Sequence, residues 1–125
     1  MQPYLNDHVE NYNGSIVKQF SPGAYGSLIT EQEAENLTQL MSEFVQSGTA
    51  TRLKDAGYTA AGKTGSAEYN NVKTDSHAWF TGFAPVEDPQ ICVTIIIEGA
   101  GSGGDYAVPI AKRIFNAYLG DGEEN

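Results

Sequence analysis

Three extended segments follow one another closely in the second half of the chain: Tyr58 to Tyr69, His77 to Ala84 and Ile91 to Glu98. Only "NNVKTDS" and "PVEDPQ" separate them. A crossover between parallel strands needs about a dozen residues or more, so connections this short impose an antiparallel meander. The third segment, with "ICVTIII", is nearly all apolar, which predicts a central strand covered on both faces. Cys92, the single cysteine, then reads as a small buried hydrophobe, and one cysteine excludes an internal disulfide. Trp79, Phe80 and Phe83 are placed to pack on the two sheet faces rather than to stack on a substrate.

Helices flank the meander. Thr30 and Glu33 form a capping box, and Ala34, Leu37, Leu40, Met41, Phe44 and Val45 recur at helical spacing up to Gly48, a predicted C-terminal cap. "TATRLKDAG" predicts a short helical turn ending at Gly57. Beyond "GAGSGGD", Asp105 is placed to cap a last helix running to about Leu119, with Val108, Ile110, Ala111, Ile114, Phe115 and Tyr118 as its apolar positions. Near the start, Asn13-Gly14 within "HVENYNGSIVKQF" predicts a hairpin with a type I′ turn. The fold class is therefore α+β: a three-stranded antiparallel sheet with a long helix, a C-terminal helix and an N-terminal β-hairpin. All 125 residues read as parts of one domain with one core, and residues 120 to 125, "GDGEEN", as a disordered acidic tail.

Sixteen Asp and Glu against seven Lys and Arg leave a formal charge of -9, which is the wrong sign for nucleic acid or an anionic membrane surface. No apolar run is long enough to span a bilayer, and "MQPYLNDHVE" has neither a basic nor a hydrophobic region, so any targeting segment is expected upstream.

Two strings imitate nucleotide sites. Gly57 to Thr64 spells G-x-x-x-x-G-K-[ST], but a phosphate loop needs an apolar strand before it and a helix starting at the Lys-Thr. The flanks are "TATRLKDA" and "GSAEYNNVKTDS", and neither fits. Gly99 to Gly104, "GAGSGG", matches G-x-G-x-x-G, yet no second parallel strand with its acidic residue follows. It reads as a flexible loop between the last strand and the last helix.

Lys63 to Ser66, by contrast, spells K-T-G-S on a strand expected to border a cleft and to return into a sheet. "VQSGTATRL", "AGKTGSAEY", "HAWFTGFAP", "ICVTIIIEG" and "DYAVPIAKRIFNAYL" resemble, in order and spacing, the C-terminal half of a class B-like penicillin-binding protein transpeptidase domain. "MQPYLNDHVENYNGSIVKQF" resembles the segment that precedes them, so the likeness covers nearly the whole chain.

The resemblance implies an acyl-enzyme mechanism on a peptidoglycan stem peptide, with beta-lactams as mimics of its D-alanyl-D-alanine end, and no cofactor or metal. Lys63 matches the lysine that holds the terminal carboxylate and tunes the proton relay. Thr64 and Ser66 match hydroxyls that bond that carboxylate, and the Ser66 N-H matches an oxyanion-hole donor, a contact worth about 3 kcal/mol. Gly65 leaves room for a substrate lying along the strand edge. Lys63 and Ser66 are thus the expected catalytic residues, and Lys63 through Ser66 the substrate-binding ones. Ser66 stands where threonine is commoner and keeps the hydroxyl. Ala67, Glu68 and Tyr69 continue the strand, and for Glu68 and Tyr69 a solvated strand end competes with substrate contact. His8 and His77 have no partner at ligand or triad spacing, which disfavours a base or metal role.

The same family carries its nucleophile in S-x-x-K on a helix and a second wall in S-x-N. The chain is expected to hold neither in a usable place. It is accordingly read as a C-terminal fragment that lacks the N-terminal half of its domain, is inactive by itself, self-associates to cover the exposed surface, and derives from an extracytoplasmic cell-envelope protein anchored upstream. A beta-lactam-sensing receptor domain, and a beta-lactamase or D,D-carboxypeptidase of the same fold, are the alternatives, with a P-loop nucleotide-binding protein as a remote one.

Overall fold

The computed structural model describes residues 5–24, 26–68 and 76–120. The chain divides into two compact units, residues 1–31 and 32–125. The first holds an antiparallel hairpin of β1 (His8–Glu10) and β2 (Ile16–Gln19), with Val9 opposite Lys18. Its turn differs from the expected type I′, which needs two residues at positive φ. Only Gly14 has one, at 82°. The Asn13 side chain instead accepts the Ser15 N-H at 3.1 Å. The loop is closed by Gly14 N-H to Asn11 O at 2.9 Å and Asn11 N-H to Ser15 O at 2.8 Å.

Helix α1 (Glu31–Ser47) lies, from Gln32 onward, in the second unit. Of its predicted apolar stripe only Val45 is buried, while Leu37 and Leu40 are 50% and 69% exposed. The helix stops before Gly48, which stays out of the left-handed region expected of a C-cap. Glycine is required there by close approach, since a methyl group would lie 2.7 Å from the Phe44 carbonyl oxygen. A 3₁₀ turn, Thr51–Leu53, follows.

The sheet is the expected antiparallel meander, β3 (Ala61–Glu68), β4 (Ser76–Ala84) and β5 (Ile91–Ile97), in the order β3-β4-β5. Tyr69 and the link up to residue 75 lie outside the described residues. The central strand is β4, which corrects the expectation for β5. The apolar run of β5 presents Val93, Ile95 and Ile97 to the core, but Cys92, Thr94 and Ile96 alternate with them and are exposed. Cys92 is therefore not buried. Continuous hydrophobicity marks a strand with two apolar faces, and among the described residues only one of these faces is covered.

The core lies between one face of the sheet and α2 (Val108–Leu119). Phe80, Phe115, Leu53, Val45 and Val108 are fully buried, filled in by Ala50, Ala78, Ala84, Ala107 and Ala111. Tyr58 meets Phe115 edge-on at 5.9 Å, and its hydroxyl donates to Asn116 Oδ1 at 2.7 Å, satisfying the polar end of a half-buried ring. Helix α2 has two apolar stripes: Val108, Ala111 and Phe115 face the core, while Ile110, Ile114 and Tyr118 remain exposed. Asp105 does not cap it. The chain enters α2 through a π-helical turn, Gly103–Ala107, with Pro109 in the helix's first turn, and Asp105 pairs with Arg52 at 3.1 Å. Nor is the "GAGSGG" segment only a loop, because its last two glycines begin the π-helical turn and Gly103 is buried there. The helix ends at Leu119, where Gly120 takes φ 89° and donates its N-H to Asn116 O. Residues 121–125 of the expected tail lie outside the described residues.

Candidate active site

Strand β3 carries Lys63, Thr64, Gly65 and Ser66 opposite Thr81, Phe80, Trp79 and Ala78 of β4. No described strand pairs with its other edge, so K-T-G-S lies on an open border of the sheet. Alternation divides the four residues between the two faces. Lys63 and Gly65 share a face with Thr81 and Trp79, and Thr64 and Ser66 share the core face with Phe80 and Ala78.

Lys63 is exposed. Its ammonium lies 4.2 Å from the centroid of the Phe44 ring and donates to the Thr64 carbonyl at 2.5 Å. Among the described residues no carboxylate neutralises it, an unusual condition in a chain of charge -9. An aromatic face steadies a cation without cancelling its charge, so Lys63 stays available to an anionic group. Phe44 is one of the apolar positions of α1, and its helical spacing carries no sign of a contact to a strand that follows later.

The two hydroxyls differ in their surroundings. Ser66 is exposed, whereas Thr64 is 8% exposed and its hydroxyl is hydrogen-bonded to that of Thr49. Ser66 is thus the accessible hydroxyl of the motif, on the strand face opposite Lys63, and Thr64 is anchored. At Gly65 a methyl group would lie 3.3 Å from Trp79 Cβ, so glycine keeps the strand both flat and open. Glu68 is exposed, as a solvated strand end would be. A cation, a hydroxyl and an unpaired strand edge suit an extended peptide ending in a carboxylate.

One string does spell S-x-x-K, Ser15-Ile16-Val17-Lys18, which corrects the expectation that the motif is wholly absent. It lies in the hairpin, with Ser15 at the turn and Lys18 in β2. A serine and a lysine three apart share a face on a helix but take opposite faces along a strand. Lys18 accordingly rests over Phe20, 4.7 Å from its centroid, and this pair cannot form a serine-lysine dyad. Both histidines are engaged in hydrogen bonds. His77 accepts the Gly99 N-H at 3.0 Å on Nδ1. His8 lies 2.8 Å from Asp7, whose hydrogen bond raises the imidazole pKa above its usual value and lowers that of the carboxyl.

The model of the penicillin binding protein transpeptidase domain matches residues 1–116. The chain is 31% identical to the peptidoglycan D,D-transpeptidase MrdA of Haemophilus influenzae, over 94% of this chain and 20% of that protein. It is 32% identical to the peptidoglycan D,D-transpeptidase PbpA of Mycolicibacterium smegmatis, over 98% of this chain and 26% of that protein. Among solved structures it resembles the penicillin G acyl-enzyme complex of penicillin-binding protein A from M. tuberculosis, with a TM-score of 0.70 and 27% identity, over 94% of this chain and 27% of that one. The chain therefore spans about a fifth to a quarter of the length of these curated relatives.

Proposed function

Because this chain belongs to the penicillin-binding protein transpeptidase family, we propose that it supplies the K-T-G wall of a D,D-transpeptidase that cross-links peptidoglycan. The observation that carries this reading is the edge of β3 that no described strand pairs, along which stand an exposed Lys63 that no carboxylate among the described residues neutralises and an exposed Ser66. Lys63 holds the carboxylate of the stem peptide and supports the proton relay. The Ser66 hydroxyl bonds the same carboxylate, its N-H contributes to the oxyanion hole, and Gly65 lets the peptide lie along the edge. The nucleophilic serine and the S-x-N wall come from sequence outside these 125 residues, so the chain by itself forms no acyl-enzyme. The complete protein works on the outer side of the cytoplasmic membrane, anchored by a segment beyond these residues. No helix among the described residues is long and apolar enough to cross a membrane.

Product analysis of the complete domain tests the activity. Supplied with donor and acceptor stem peptides, it should yield the cross-linked dimer. Release of D-alanine with no cross-link would make it a carboxypeptidase, fast hydrolysis of bound penicillin a beta-lactamase, and stable acylation with no turnover of peptide a sensor.

We also propose that the isolated chain self-associates. Ile110, Ile114 and Tyr118 are exposed along α2, next to Ile91 of β5, whose outer edge no described strand pairs. An apolar strip beside an open strand edge favours burial against a second copy. Sedimentation at rising concentration should show dimers or larger species, and a monomer throughout would refute it.

A further inference from the structure

Thr49 follows α1 and meets β3 across a gap in sequence that no local pattern bridges. Its hydroxyl is bonded to that of Thr64. Its backbone is crowded by the π-helical turn, where a methyl group on Gly104 would lie 2.7 Å from the Thr49 carbonyl oxygen. The neighbouring Gly103 stands against the K-T-G strand itself, with a methyl group there 2.3 Å from the Trp79 oxygen and 2.6 Å from the Gly65 oxygen. A closed circuit results, running Thr64, Thr49, Gly104, Gly103, Gly65. Arg52, in the 3₁₀ turn that follows Thr49, pairs with Asp105 of the π-helical turn at 3.1 Å.

We propose that Thr49 is a positioning residue of the transpeptidase site, holding the K-T-G strand through Thr64 while Gly103 and Gly104 set the strand's distance from the turn behind it. The proposal rests on the reading of β3 given under Proposed function. Strand β3 is paired on one side only among the described residues, so its outer edge has no sheet partner to fix it. Lys63 and Ser66 flank the two anchored positions, Thr64 and Gly65, and a displacement of the anchors moves both. Misplacement of a catalytic group by about 1 Å can cost roughly a hundredfold in rate. The hydroxyl of Thr64 has one hydrogen to donate and can accept two. With Thr49 as partner its orientation is set before substrate arrives.

The test uses the complete transpeptidase domain. Thr49→Val keeps the shape of the side chain and removes the hydroxyl, and Thr49→Ser keeps the hydroxyl. Deuterium uptake by the segment Lys63 to Glu68 is measured without ligand, beside the second-order rate constant for acylation by a fluorescent penicillin. Thr49→Val should raise uptake in that segment and slow acylation by between about tenfold and a hundredfold, with other core segments unchanged. Thr49→Ser should leave uptake at the wild-type level. Unchanged uptake in Thr49→Val overturns the proposal, and if acylation nevertheless falls, Thr49 touches the ligand directly. A wild-type domain that no penicillin acylates would remove the transpeptidase reading, and the exchange result would still decide whether Thr49 holds the strand.

Discussion

Replacing Lys63 by alanine in the complete domain should slow acylation by penicillin by about a hundredfold to a thousandfold, the range for losing a group that both stabilises developing charge and assists proton transfer. The fold should hardly notice. Lys63 is exposed, and among the described residues its ammonium meets the Phe44 ring and the Thr64 carbonyl, so stability should change by no more than about 1 kcal/mol. Arginine is not expected to restore the rate, because its planar fork replaces a compact point charge and its stem must pass the same ring. A Lys63→Ala domain that reacts with penicillin as fast as wild type would show that the K-T-G lysine has no part in the site.

The second large effect concerns the fold beneath that site. Phe80→Ala should destabilise the chain by about 3 to 5 kcal/mol in urea or guanidinium unfolding, the cost of removing a fully buried ring from a packed core. The ring does more than fill space. It lies over two glycines paired in register, Gly62 of β3 and Gly82 of β4. A methyl group on Gly62 would come within 2.5 Å of it, and one on Gly82 within 2.6 Å. Gly62→Ala should accordingly destabilise the native sequence, and much less so once Phe80 has been shortened. A double-mutant cycle in which the two substitutions simply add would contradict direct contact between the ring and the glycine.

These glycines show where sequence reasoning succeeds and where it stops. The order of helix, three strands and helix was legible because short links forbid crossovers and because apolar periodicity is a one-dimensional property. The K-T-G-S strand was legible for the same reason, helped by landmarks in a familiar order. Register is different. That Gly62 faces Gly82, and that Phe80 covers both, becomes visible only when β3 and β4 are laid side by side. The strand reading of "ICVTIII" was right, but its place in the sheet was misjudged, since hydrophobicity on both faces does not say whether both are covered. The hydroxyl pair of Thr49 and Thr64 was invisible for a further reason. Two threonines fifteen positions apart carry no periodic signal, so nothing in the sequence pattern pairs their hydroxyls. Asp105 illustrates the opposite failure, because an acidic residue before a helix reads as a cap until a nearer partner, Arg52, is in view.

The central claim is that these 125 residues form one wall of an acyl-transfer site whose nucleophile lies elsewhere. It predicts a sharp contrast in covalent labelling. A fluorescent penicillin, followed by denaturing electrophoresis and intact mass, should label the complete domain at one adduct per molecule and leave the 125-residue chain unlabelled, Ser15 included. A stoichiometric adduct on the 125-residue chain, or a complete domain that stays unlabelled, would contradict it.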